Sequence, residues 1–315
     1  MRQPTLQFDK LNAADYNTVA SMMKVWTGLE SFFAVVSLLQ AFALPLFVLF
    51  KEIPLRNQEY TLRYIFTSQN ALLFSLLLCT SSYFALQAYE DATFDKKSLS
   101  LADLLEILVP IFPLLCEALF LYYSWFRSAV VAQLQVTKMT FRVYTYILLI
   151  SPIIFLTPIV LAFLPHNFIS HGTKLSILKI CLPIGGTVCI LIDLFFTFCF
   201  LRLEMQAADV KISTPAYYFV ISRYGLIMTL ISTITLVFFV TSYFLSVEAQ
   251  KDPLFLKGIQ VWRWYKICGI CRDSLICSIP ALLFLQKAAL LKPGFLSGQL
   301  STRSKLSGYF GTSTR

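Results

Sequence analysis

Long apolar segments are the feature of this sequence that most restricts its fold. Seven of them are long enough to cross about 30 Å of hydrocarbon, because a helix rises 1.5 Å per residue and needs about 20 residues for that span. Inside hydrocarbon, only helices and closed barrels satisfy their own backbone hydrogen bonds. The sequence therefore predicts an all-α, polytopic bundle of seven membrane-spanning helices. The predicted spans lie near residues 26–50, 64–88, 104–126, 143–164, 175–201, 216–245 and 265–286.

The composition agrees with this prediction. Of the 315 residues, 57% are hydrophobic and only 14% are charged, whereas about 25% of the residues of a typical soluble protein are charged. The net charge is +9, but the basic residues are distributed among the ends of the apolar segments. The chain is therefore expected to contact membrane lipids and not nucleic acid.

The distribution of basic residues also predicts the topology. An odd number of spans places the two termini on opposite faces of the membrane. Loops on the side of the C-terminus carry more Lys and Arg than loops on the other side, and cytoplasmic loops are enriched in these residues. We therefore expect an external N-terminal segment (1–25), a seven-helix domain (26–286) and a basic, Ser/Thr-rich cytosolic tail (287–315). The plasma membrane is expected in preference to an internal membrane.

Ionisable residues at membrane depth are costly and usually face the bundle interior; the candidates within the predicted spans are Glu117, Asp193, Arg223, Arg272 and Asp273. By depth, Asp193 and Arg223 are expected near each other. Glu117 is expected opposite Arg272. The side chains of Arg272 and Asp273 leave a helix about 100° apart, so they are not expected to neutralise each other face to face, and at least one is expected to find a partner on another helix.

Two interpretations of this polar network are open. The residues either form structural ion pairs, with Arg223 reaching the membrane interface, or they line a ligand cavity or a switch. Prolines within the spans favour space between helices, because they kink helices; Pro110 and Pro113 lie in the third span, and Pro152 and Pro158 in the fourth. Gly185 and Gly186 predict that the fifth span packs closely against another helix.

The sequence gives little support for a metal site, a redox site or an enzymatic active site. Cys268 and Cys271 have the C-x-x-C spacing of redox and metal sites. Zinc usually needs four ligands, however, and His166 and His171 lie in a loop with no cysteine beside them. Small cysteines also suit close helix packing. H-E-x-x-H, G-x-S-x-G and P-loop motifs are absent from the sequence, so we expect no metal, no cofactor and no enzymatic activity.

The predicted architecture resembles that of G-protein-coupled receptors, with seven helices, an outward N-terminus and a basic Ser/Thr-rich tail. The third span ends in YYSWFRS, which contains Arg127 but no D-R-Y motif, and the seventh span contains SIPALLF, which shares only Pro280 with N-P-x-x-Y. The architecture implies a receptor that binds a small or lipophilic ligand between helices and signals to a cytosolic partner such as a G protein. The basic segment 126–142 is the expected docking surface.

The alternative is a secondary transporter or channel. In that interpretation, Glu117, Asp193, Arg272 and Asp273 carry coupling ions across the membrane. Transporters often contain internal repeats, and the two halves of this sequence show no convincing repeat. The receptor is therefore the leading hypothesis.

Overall fold

Seven long helices make up most of the structure, a computed structural model that describes residues 13–56, 62–93, 99–164, 168–209, 216–251 and 258–291. The predicted tail beyond residue 291 and the first twelve residues lie outside the described residues. The helices are α1 (Ala13–Phe47, continued by π-helical Val48–Glu52 and by Ile53–Arg56), α2 (Ser68–Ala92), α3 (Leu99–Gln135), α4 (Lys138–Phe163), α5 (His171–Asp209), α6 (Ala216–Lys251) and α7 (Gly258–Leu290).

The prediction of seven spans is confirmed, since all seven helices are long and apolar enough to cross a membrane. Several helices extend beyond the predicted apolar segments. Between α3 and α4, for example, only two residues separate Gln135 from Lys138, so most of the predicted inner loop 126–142 is helical. By length and composition, these helices fit a multi-pass membrane protein.

Six of the helices form a ring. In order around the ring they are α1, α2, α3, α5, α6 and α7, with α7 packed back against α1, while α4 lies outside and packs against α3 and α5. The core contains fully buried aromatic side chains, among them Phe155 of α4 and Phe196 of α5. Tyr144 of α4 stacks on Phe195 of α5 with ring centroids 3.6 Å apart.

Polar residues in the first span face the bundle. Glu30 and Ser37 are almost fully buried, whereas Phe32, Leu39 and Phe42 are exposed on other sides of α1. Apolar side chains directed outwards fit contact with lipid, and buried polar ones fit an interior network. The polar interruptions of this segment therefore mark its inner face.

The helices begin at residues that can cap them. The side chains of Thr67, Thr137 and Ser170 accept hydrogen bonds from backbone N–H groups three residues later, before α2, α4 and α5 respectively. Such caps satisfy backbone donors that have no partner within the helix. The short polar sequences between spans thus fix where the helices start.

Candidate ligand-binding site

A cavity of about 230 Å³ lies inside the ring of helices. Its lining residues come from the second half of α2, the first half of α3 and α5, the middle of α6 and the first two-thirds of α7. These parts belong to the end of the bundle that carries the N-terminus of α1. Along α7 the lining runs from Tyr265 to Pro280, which is about 22 Å at 1.5 Å per residue.

Prolines within helices contribute to this cavity. Pro110 and Pro113 of α3, Pro183 of α5 and Pro280 of α7 all line it. A proline in a helix removes a backbone hydrogen bond and kinks the helix, which opens space between neighbours. The expectation for the third span is therefore met, whereas Pro152 and Pro158 of α4 lie outside the cavity lining.

The end of the cavity nearest the N-terminus contains a hydrogen-bonded group that we name the Arg272 cluster: Tyr83, Gln87, Arg272 and Asp273. The Nε of Arg272 donates to Asp273 Oδ1 at 2.9 Å, and its Nη2 donates to the hydroxyl of Tyr83 at 2.9 Å. Tyr83 donates to Asp273 Oδ1 at 3.0 Å, and Gln87 donates to Asp273 Oδ2 at 3.4 Å. The cluster ties α2 to α7.

This geometry corrects one expectation. Arg272 and Asp273 do form an ion pair with each other, at 2.9 Å between Nη2 and Oδ1. The 100° offset between adjacent residues applies to the directions in which their side chains leave the helix. A long arginine side chain can fold back along the helix surface, and the hydroxyl of Tyr83 supports both groups.

A second ion pair lies at the same end of the bundle. Lys266 of α7 contacts both carboxylate oxygens of Asp91 of α2 at 2.9 Å, with both side chains buried. The ammonium group of Lys266 is also 5.2 Å from the ring centroid of Trp26 on α1. Close by on α1, the Oε2 atom of Glu30 is buried and has no hydrogen-bond partner in the described part of the chain.

Glu117 occupies the deeper part of the cavity lining on α3. Its carboxylate lies against Gly185 and Gly186 of α5, where a Cβ at Gly186 would be 3.2 Å from Oε1 and one at Gly185 would collide with Oε2. The predicted close contact at these glycines is therefore present. The expected ion pair between Glu117 and Arg272 is not formed among the described residues, although both line the same cavity; Oε2 of Glu117 is buried with no hydrogen-bond partner there.

Asp193 belongs to a separate group, the Arg127 cluster, which consists of Ser124, Arg127, Asp193, Thr229 and Gln286. Thr229 of α6 donates to Asp193 Oδ2 at 2.6 Å, and Ser124 of α3 donates to Oδ1 at 3.5 Å. The guanidinium of Arg127 lies 3.6 Å from Asp193 Oδ1 and donates to Gln286 of α7 at 2.8 Å. The cluster therefore connects α3, α5, α6 and α7.

Asp193 and Arg223, which were expected near each other by depth, make no contact among the described residues. Arg223 is exposed on the outside of α6, with its guanidinium 4.2 Å from the ring centroid of Phe219 on the same helix. The sequence indicates that the two residues lie at similar depths along the membrane normal. It does not indicate how each helix is rotated about its own axis, and this rotation decides which side chains meet. The partner is instead Arg127, which lies at the edge of its predicted span.

The structure also reveals polar residues that the sequence argument missed. They are Tyr83, Gln87, Asp91, Arg127, Lys266 and Gln286. Asp91, Lys266 and Arg127 lie at or beyond the ends of predicted spans, where a charge is usually assigned to a loop or to the interface. A partial signal was present for two of them, because Asp91 and Lys266 have opposite charges at the ends of the second and seventh spans on the same predicted face.

The cysteines form no disulfides in the part of the chain that the structure describes, and all eight are free thiols. Among the described residues there is also no group of three or more His, Cys, Asp or Glu side chains placed to hold a metal ion. Cys268 is buried and Cys271 is half-buried on α7.

Comparison with known proteins assigns no family. No protein-family model matches the chain, and no curated protein matches it.

Proposed function

We propose that this chain is a seven-helix receptor of the plasma membrane. It binds a small, largely apolar ligand in the cavity between its helices, with the N-terminus outside. Ligand binding changes the packing of helices around the Arg127 cluster and exposes a docking surface for a cytosolic partner such as a G protein.

The observation that carries this proposal is the position of the Arg127 cluster directly beyond the deep end of the cavity. On α5, Asp193 follows the cavity-lining Ile190 by three residues, and on α3, Ser124 follows the cavity-lining Phe120 by four. These separations correspond to about 5–6 Å along the helix axes. A ligand that moves α3 or α5 therefore acts on polar contacts that join four helices.

Transmission of this kind needs an element with two arrangements, and a ligand that favours one of them. The contacts between Arg127, Asp193 and Gln286 can be broken without unfolding any helix, because each is made by side chains. Beyond the cluster, the ends of α3 and α4 approach each other at Gln135 and Lys138. Exposed Lys138, Met139 and Arg142 there provide a basic surface for the partner.

Basal guanine-nucleotide exchange tests this function without a known ligand. The full chain is reconstituted with a panel of heterotrimeric G proteins, and nucleotide exchange is compared for the wild type and Arg127→Ala. Loss of the Arg127 contacts should raise basal exchange at least about fivefold, as expected for a coupling of 1 kcal/mol or more. Arg223→Ala is the matched control, since it removes an arginine that lies outside the cluster.

A second candidate function is transport of ions or small polar molecules. The observation that favours it is the group of buried charges on α1, α2 and α7 at the N-terminal end of the cavity, including Glu30, Asp91 and Lys266. Ionisable residues within membranes frequently mark ion pathways. Flux through vesicles containing the purified chain, together with unchanged nucleotide exchange for Arg127→Ala, would favour the transporter over the receptor.

The proposed topology has its own test. A peptide tag placed after Arg315 should be labelled by antibody only after cells are permeabilised, and a tag before Met1 should be labelled on intact cells. Labelling of the C-terminal tag on intact cells would contradict the orientation and remove the proposed docking surface from the cytosol.

A further inference from the structure

Glu117 lines the cavity, and its carboxylate makes no hydrogen bond or ion pair in the described part of the chain. The other charged residues of the lining take part in interactions within the described part of the chain: Arg272 with Asp273 and Tyr83, Lys266 with Asp91, and Glu90 with a neighbouring group. Glu117 has a buried Oε2 atom with no hydrogen-bond donor there. A buried acceptor without a donor is unfavourable, and a ligand that supplies one gains that interaction.

The backbone around Glu117 is built to leave room for its carboxylate. Gly185 and Gly186 face the two carboxylate oxygens, and a side chain at Gly185 would collide with Oε2 and with the ring of Phe155. Neither glycine carries a side-chain donor. Gly186, beside Oε1, lines the cavity, whereas Gly185, beside the enclosed Oε2, does not. The site therefore accommodates the carboxylate sterically, and a molecule in the cavity can donate a hydrogen bond to it from the Oε1 side.

Most of the deep cavity lining is apolar, and the hydroxyls of Thr80 and Thr235, which also line the cavity, donate to carbonyls of their own helices. Pro113, Phe120, Leu182, Leu236 and Ile279 line it near this depth. An engineered cavity of about 150 Å³ holds one benzene molecule, so 230 Å³ corresponds to roughly nine or ten non-hydrogen atoms. An occupant of this size must be apolar over most of its surface.

We infer that Glu117 selects a compact apolar ligand with one terminal hydrogen-bond donor, an N–H or O–H group. The donor binds the Glu117 carboxylate. This inference rests on the proposed function. The Arg272 cluster and the Lys266–Asp91 pair lie towards the other end of the cavity. Their cations are already paired with carboxylates, so they do not select an anionic ligand.

Four probes of similar size test this selectivity. They are 2-phenylethylamine and 2-phenylethanol, which carry a donor, ethylbenzene, which carries no polar group, and 3-phenylpropanoate, which is an anion. Binding is measured on the purified full chain as the concentration-dependent rise in unfolding temperature. Unfolding is followed with a thiol-reactive dye, because buried free thiols such as Cys189 and Cys199 become reactive when the chain unfolds. The amine and the alcohol should bind about tenfold or more tightly than ethylbenzene, and the carboxylate should bind most weakly.

Two substitutions assign the selectivity to Glu117. In Glu117→Leu, the amine and the alcohol should lose their advantage and bind no more tightly than ethylbenzene, because their polar groups would be buried without an acceptor. In Glu117→Gln, an acceptor oxygen is kept and the alcohol should retain its advantage over ethylbenzene. Glu204→Gln on α5 is the matched control, since Glu204 lies outside the cavity lining and its substitution should leave all four affinities unchanged.

The outcomes distinguish this inference from the proposed function. Equal affinity of the wild type for the amine, the alcohol and ethylbenzene would overturn the role of Glu117 while leaving a ligand-binding cavity. A donor preference that persists in Glu117→Leu, or tight binding of 3-phenylpropanoate, would also overturn it. If none of the four probes binds the wild type, both the inference and the proposed cavity ligand fail.

Discussion

Glu117, which is half-buried, and Asp193, which is buried, are acidic residues on neighbouring helices inside the bundle, and they differ in their hydrogen-bond partners. Asp193 accepts hydrogen bonds from Thr229 and Ser124 and has the Arg127 guanidinium 3.6 Å away. Glu117 lies against two glycines at the edge of a cavity, with one oxygen buried and without a donor in the described part of the chain. The same chemical group thus serves the fold at one site and is left for an occupant at the other.

This contrast divides the bundle into two functional parts. The half that carries the N-terminus contains the cavity, whose deep wall is mostly apolar and includes the Glu117 carboxylate. The half beyond it contains the Arg127 cluster, in which side chains from four helices contact one another and Asp193 accepts hydrogen bonds, although Nε2 of Gln286 has no partner in the described part of the chain. A satisfied polar network holds helices in one arrangement, while an unsatisfied group beside empty space favours binding.

The largest expected effect comes from substituting the two carboxylates isosterically. Asp193→Asn should lower the free energy of unfolding by about 3 kcal/mol, because it leaves the buried Arg127 without its counter-ion. Glu117→Gln should change it by no more than about 0.5 kcal/mol, since no contact is lost. Denaturant unfolding in detergent micelles measures both. Equal destabilisation by the two substitutions would remove the distinction between them.

A smaller effect is expected from the glycines beside Glu117. Gly185→Ala should cost about 2 kcal/mol by overpacking, because the new methyl group would lie 2.6 Å from the ring of the fully buried Phe155. Gly186→Ala is the matched control, with its closest neighbour at 3.2 Å, and should stay within about 0.5 kcal/mol of the wild type. The same unfolding measurement applies, and an equal response of both variants would show that the carboxylate is not confined on the Gly185 side.

The hydroxyl donor of the Arg127 cluster should have an effect of about 1 kcal/mol. Thr229→Val removes the 2.6 Å hydrogen bond to Asp193 and leaves part of a buried acceptor unsatisfied. Thr233→Val is the control on the same helix, because among the described residues the Thr233 hydroxyl donates only to the backbone of that helix, at the carbonyl of Thr229. Thermal unfolding of the two variants checks this, and a lower unfolding temperature for Thr233→Val than for Thr229→Val would be incompatible with the cluster.

The smallest effect concerns the size of the cavity. A Cβ at Gly269 of α7 or at Gly28 of α1 would meet nothing within 4 Å, so alanine at either site should add about 0.5–1 kcal/mol of helix stability. Only Gly269 lines the cavity. Gly269→Ala should therefore weaken binding of 2-phenylethylamine about fourfold, the equivalent of one methylene group, while Gly28→Ala leaves it unchanged. Unaltered binding by Gly269→Ala would place the probe elsewhere.

Much of the fold could be predicted from the sequence. Apolar segments of the necessary length define seven spans because hydrocarbon leaves the backbone no other partners, and the structure contains those seven helices. The bounds were less accurate. Helix α3 continues beyond the third apolar segment to Gln135, and α4 begins before the fourth apolar segment, at Lys138. In these more polar stretches, hydropathy does not distinguish a helix from a loop.

The candidate site was predicted only in part. Residues Glu117 and Arg272 do line one cavity, and Asp193 is buried, as expected for charges at membrane depth. The pairs were wrong because sequence gives depth along the helix axis but neither the rotation of each helix nor its neighbours in the ring. Arg223, for example, was expected at a depth similar to that of Asp193, but its side chain is exposed on the outside of α6.

An experimental structure of the full chain with 2-phenylethylamine bound would test the central claim most directly. The account predicts density for the probe between α3, α5 and α7, with its nitrogen within hydrogen-bonding distance of the Glu117 carboxylate and with no probe at Asp193. A cavity closed by side chains, or a probe bound at the Arg127 cluster while Glu117 has no contact with it, would contradict the account.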